Sequence, residues 1–90
     1  MRIIKEINKG LLKITVFKYQ DKLSIKFEKD LNEILIKFRD GGLEESEIDA
    51  YLTEEEINKY EKQLETINEI KISQLIKLED EKGFEFPDIV

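Results

Sequence analysis

Phe17 and Tyr19 stand two residues apart in a stretch that also carries Lys13, Lys26, Leu35, Lys37 and Arg39. Aromatic rings among cations on an open sheet face can stack the bases of single-stranded nucleic acid while displacing counterions from its phosphates. The same apolar side chains, Phe17, Tyr19 and Leu35, equally suit a face covered by a second copy of the chain, or by Phe84 and Phe86 near the C-terminus. The charge balance favours a cover of protein. The net charge is −6, the isoelectric point lies near 4.8, and Glu28 and Glu33 fall among the cations.

The other groups with chemical potential are carboxylates: Glu44, Glu45, Glu47 and Asp49, then Glu79, Asp80 and Glu81. Oxygen-rich clusters can hold Ca²⁺ or Mg²⁺, but neither spacing matches an EF-hand loop, and solvated helix ends account for both. Paired catalytic carboxylates need a cleft with a low-dielectric wall to separate their pKa values. A domain of 90 residues has room for one thin core and little room for such a cleft. The chain has no His and no Cys. Thiolate and imidazole metal ligands, the thiol nucleophile and the usual general base for a Ser nucleophile are therefore missing from its repertoire. No glycine-rich phosphate loop of either common pattern occurs. The sequence thus points away from an enzyme and implies no metal or cofactor.

The elements that must position Phe17 and its neighbours lie in Lys13–Arg39, KITVFKYQDKLSIKFEKDLNEILIKFR. Two-residue turns at Gln20-Asp21 and Asp30-Leu31 would set Val16 opposite Ile25, Ile14 opposite Phe27, Phe17 opposite Ser24 and Tyr19 opposite Lys22. Phe27 would then face Ile34, Ile25 would face Ile36, and Leu23 would face Phe38. Ile14, Val16, Leu23, Ile25, Phe27, Ile34, Ile36 and Phe38 share one face in that register, and a slip of one residue would turn each strand's apolar set into water. The opposite face reads Lys13, Thr15, Phe17, Tyr19, Lys22, Ser24, Lys26, Glu28, Glu33, Leu35, Lys37 and Arg39: polar and basic, as the solvent side of an antiparallel sheet should be.

Before this stretch, residues 2–7 read as a first strand and Asn8-Lys9-Gly10 as its turn, with either Ile3 or Ile4 pointing inward. After it, Asp40-Gly41-Gly42 stops the sheet. Residues 43–52 read as a short helix. Thr53 opens a longer one, because T-x-x-E can form a capping box with Glu56 and three Glu residues favour the positive end of the helix dipole. Ile57, Tyr60, Leu64 and Ile67 keep helical spacing, Lys71 interrupts the stripe, and Leu75 and Leu78 resume it to about Asp80. The alternation of Ile70, Ile72 and Ile76 leaves a fifth strand open over residues 70–78.

The segments KITVFKYQDKLSIKFE and NEILIKFRDG resemble a group of small uncharacterised bacterial proteins that carry the same hairpin, an IKFE strand and a KFR strand end before their helices. The likeness spans roughly residues 13–42. It implies a sheet-plus-helix fold and brings no activity with it.

Charge divides along the chain. Residues 1–43 hold ten Lys/Arg against six Asp/Glu, a balance of +4, and residues 44–90 hold five against fifteen, a balance of −10. A basic sheet followed by acidic helices is the expectation, each able to attract the other. No apolar run is long enough to span a membrane. No secretion signal opens the chain, and the lack of Cys suits a cytoplasmic protein. Richness in Ile, Lys, Glu and Asn suggests a bacterial or phage gene. The expected architecture is a single α+β domain over residues 1–90. It comprises a four-stranded antiparallel meander over 1–40, a helical part over 43–80 packed on one face, and a C-terminal tail over 81–90. The expected role is a non-catalytic interaction module that forms a homodimer or binds a protein partner, with single-stranded nucleic acid as the alternative.

Overall fold

The computed structural model describes residues 1–82, with side chains described as far as Asp80. Four antiparallel strands, β1 (Arg2–Lys9), β2 (Leu12–Tyr19), β3 (Lys22–Lys29) and β4 (Asn32–Lys37), lie side by side in chain order. The register of the last three strands is the one the alternation demands: Val16 opposite Ile25, Ile14 opposite Phe27, Phe27 opposite Ile34 and Ile25 opposite Ile36. Phe38 lies just past β4 yet still donates its N–H to the Leu23 carbonyl at 3.0 Å. Gln20, Asp21, Asp30 and Leu31 all have positive φ, the backbone of a type I′ turn, whose twist matches that of the flanking strands.

The first hairpin differs from the expected one. Lys9 pairs with Leu12, so the turn is Gly10-Leu11, with Gly10 alone supplying the positive φ of 59°. A bulge between Ile3 and Lys5 settles the open question in β1. Ile4 packs against the core, while Ile3 sits opposite Phe17 on the other face. The strand thereby changes parity, and Lys5, opposite Val16, turns toward the helices.

Past the turn at Gly41, φ +76°, a 3₁₀ turn (Glu45–Glu47) runs into α1 (Ile48–Tyr51), and α2 follows over Glu54–Lys82. Residues 70–78 are therefore helix and not a fifth strand. Thr53 is the cap: its hydroxyl accepts the Glu56 N–H at 3.3 Å and its carbonyl accepts the Ile57 N–H at 2.9 Å. The return half of the expected capping box is not made. Glu56 instead pairs with Lys59 at 3.1 Å. Thr53→Ala should still cost ~0.5–2 kcal/mol, read as a lower denaturation midpoint at unchanged m-value.

The core joins Leu12, Ile14, Val16, Leu23, Ile25 and Phe27 of the sheet to Ile48, Leu52, Ile57 and Leu64 of the helices. Phe27 stacks on Tyr60 with ring centroids 4.2 Å apart, Phe38 meets Tyr51 edge-on, and the two tyrosine hydroxyls share a hydrogen bond of 3.0 Å. This aromatic chain ties α1, α2, β3 and the end of β4 together.

Polar contacts fix how α2 crosses the sheet. Asn58 accepts from Lys9 on β1 at 2.6 Å, and Asn68 accepts from Asn32 on β4 at 2.9 Å. Ten helical residues rise ~15 Å, and three inter-strand steps span ~14 Å. The helix therefore runs nearly perpendicular to the strands and clears the β4 edge close to Asn68. About fourteen residues, or ~21 Å, continue beyond it as an arm.

Candidate functional site

The meander gathers part of the predicted surface. Phe17, Tyr19, Leu35 and Lys37 line one shallow hollow on the open face, completed by Lys22 and Ser24. Tyr19 and Leu35 are 56% and 46% exposed, and Phe17 is half-buried. Lys26 lies directly across from Leu35 but is engaged by Glu28 at 3.4 Å. Lys13 sits at the far end of β2 and borders a separate hollow with Leu11, Leu31 and Glu33. Arg39 falls beyond the end of β4 and lines a third hollow with Lys18, Asp21 and Glu45. The open face thus carries an aromatic–aliphatic patch with Lys22 and Lys37 beside it, not one continuous basic strip. Thr15 and Ser24, on the same face, are buried because their short side chains sit in central strands beneath longer neighbours. Phe84 and Phe86, the other candidates to cover the patch, lie outside the described residues.

Ile3 belongs to this patch as well. It is 51% exposed and opposite Phe17. Nothing in the side-chain pattern of RIIKEI signals the bulge that puts it there.

The charge asymmetry along the chain resolves into contacts between the layers. Arg2 and Lys18 both reach Glu45 at 3.3 Å, Lys5 pairs with Asp49, and Lys9 with Glu54 at 3.6 Å. Lys29 bridges Glu61 at 2.9 Å and Glu65 at 3.0 Å, and its hydrogen bonds to those two carboxylates raise its pKa. Of the carboxylates of residues 44–49 that could have suggested a metal site, Glu45 and Asp49 are in this way turned toward the basic sheet, while Glu47 accepts the Glu44 N–H at the start of the 3₁₀ turn.

The largest shift in acidity belongs to Tyr60, whose phenol is pushed up to about 12 by burial, reinforced by its hydrogen bond with Tyr51. Its hydroxyl sits within the core aromatic chain, away from the open-face hollow. The fold favours the neutral phenol, so this contribution to stability is complete below ~10, the unfolded value, and is lost as pH rises toward 12. An ultraviolet titration should show a tyrosine step near pH 12, and Tyr60→Phe should abolish it.

A second apolar surface was not anticipated as a site. Ile67, expected to pack on the sheet, is 41% exposed. Ile70, Ile72, Leu75, Ile76 and Leu78 on the arm range from 43% to 54%. No helix among the described residues is long and apolar enough to cross a membrane. Comparison with family models, curated proteins and solved structures gives no match for this chain.

Proposed function

We propose that this chain is a non-catalytic interaction module that works by self-association. The observation that carries the reading is the arm of α2. Six large aliphatic residues between Ile67 and Leu78 stand open to water, five of them past the β4 edge. A helical segment without tertiary packing is marginal in water, and β-branched Ile70, Ile72 and Ile76 lower its helix propensity further. Contiguous exposed apolar surface of this kind marks a protein-binding site. The non-catalytic part of the reading is supported by the position of Tyr60, the most shifted acid among the described residues, which serves packing. A bacterial cytoplasm suits the cysteine-free, Ile- and Lys-rich composition.

Sedimentation velocity over a dilution series tests the reading. A concentration-dependent shift from monomer to dimer is expected, and a monomer at every concentration up to the solubility limit would overturn it.

The hollow shared by Phe17, Tyr19, Lys22 and Lys37 supports the second reading, single-stranded nucleic acid on the open face. An oligonucleotide should then bind at low salt, weaken steeply as salt rises, and be lost with Phe17→Ala or Lys37→Glu. Absence of binding at low salt removes this reading.

A further inference from the structure

We propose that two copies join edge to edge through β4, around a two-fold axis at Leu35, so that each helical arm reaches over the other copy's β4 edge. The inference rests on the self-association reading and specifies its geometry.

The backbone of β4 is prepared for it. In an antiparallel pair, successive residues alternately bond to the partner strand and point away from it. Lys29 and Asn32 close the two-residue turn, and Phe38 donates to Leu23. Asn32, Ile34, Ile36 and Phe38 therefore bond to β3, while Glu33, Leu35 and Lys37 present their N–H and C=O groups outward along the sheet edge. The only guards on this edge are the charges of Glu33 and Lys37, which a partner of complementary pattern would neutralise. It carries no proline and no bulge, two of the devices that protect edges from pairing. The opposite edge, β1, is interrupted by the bulge between Ile3 and Lys5.

Symmetry then limits the register. A two-fold axis perpendicular to the sheet sets residues of like parity opposite each other, which keeps both helical layers on one side. Centred on Leu35, the pairing places Leu35 opposite its own copy, Ile34 opposite the partner's Ile36, and Glu33 opposite the partner's Lys37. All three outward residues find hydrogen-bonding partners, and two ion pairs of opposite charge flank the axis. A shift of two residues either way loses one of the three rows and sets Glu33 or Lys37 against Leu35.

Within one copy Glu33 has the wrong neighbour. It lies directly across from Glu28, and like charges so placed repel. Lys26 is engaged by Glu28, and Glu33 has no ion pair among the described residues. The partner's Lys37 is the cation this carboxylate lacks.

The arm completes the arrangement. It clears β4 at the Asn32 end, and the antiparallel register brings Asn32 opposite the partner's Phe38. The arm's first turns there lie beside the partner's Ile36 and Phe38, each only partly buried in one copy.

A charge swap tests the proposal on the full chain. Glu33→Lys and Lys37→Glu should each raise the dimer dissociation constant by ~10-fold in sedimentation equilibrium, since each replaces two attractive pairs by two repulsive ones. The double variant should restore it. Both single variants should stay folded by circular dichroism, because Glu33→Lys relieves the contact with Glu28 and Lys37 faces only Ser24. Leu75→Asp, on the arm, should weaken the same dimer. A dimer indifferent to the swaps but lost on Phe17→Glu would leave self-association standing and overturn the edge pairing in favour of the open face. Singles that weaken the dimer without rescue by the double would overturn the register. A monomer at all concentrations would remove the self-association reading itself.

Discussion

Ile25→Ala is expected to destabilise the fold by ~2–5 kcal/mol, the range for truncating a fully buried aliphatic side chain and leaving a cavity. Ile25 has no exposed surface. It sits opposite Val16 on one side and Ile36 on the other, in the strand that α2 packs against. Deleting its branched chain leaves a void bounded by two strands and the helical layer, and none of these can collapse inward without breaking the ladder. Lys26→Ala, one residue along, removes a side chain on the open face that pairs with Glu28 on the same strand. Surface changes of that sort stay within ~0.5 kcal/mol. Urea melts of the two variants should therefore differ several-fold in their shift of midpoint. Equal costs would mean that the two faces of the meander have been exchanged.

That contrast was legible in the sequence because type I′ turns admit no slack. Once Gln20-Asp21 and Asp30-Leu31 are fixed as two-residue loops, every side chain from Ile14 to Phe38 is assigned a face by parity. The first hairpin escaped the same logic. Its turn shifted by a residue to Gly10-Leu11, and the Ile4 bulge is a backbone event that the adjacent isoleucines of RIIKEI cannot reveal. The candidate surface was legible to the same extent as the strands. Phe17, Tyr19, Leu35 and Lys37 assemble because they share parity and lie near one end of the sheet, with Lys26 alongside. Lys13 shares the parity but lies at the other end of β2, and Arg39 outruns β4, so neither reaches the hollow.

The helix shows a different limit. Its start could be read from Thr53 and its course from the apolar spacing, but the alternation of Ile70, Ile72 and Ile76 left a fifth strand open, and the point at which the sheet beneath it ends could not be read at all. Ile67, Leu75 and Leu78 continue the helical stripe of Ile57, Tyr60 and Leu64. Periodicity gives the same signal whether a stripe faces a core or water. The deciding quantity is geometric: a helix perpendicular to four strands uses up its support in about ten residues, whereas α2 is 29 residues long. The exposed second half follows from sheet width, which no local window of sequence contains.

The same geometry yields the second large effect. Leu64 is 1% exposed and Leu75 is 53% exposed, on one helix and with the same side chain. Leu64→Ala should cost ~2–5 kcal/mol, because the cavity opens between α2 and the sheet beside Phe27 and Tyr60. Leu75→Ala should cost no more than ~0.5 kcal/mol when the melt is run at the lowest usable protein concentration. At high concentration the two variants should begin to converge. Any ligand of the folded state, a second copy included, adds stability that grows with its concentration, and Leu75→Ala would forfeit that increment while Leu64→Ala would retain it. A pair of melts at two concentrations thus measures the arm twice, once as an unsupported helix and once as an interface. A large cost for Leu75→Ala in dilute solution would mean that the arm is packed against its own chain, and a null cost for Leu64→Ala would mean that α2 does not seat on the sheet at all.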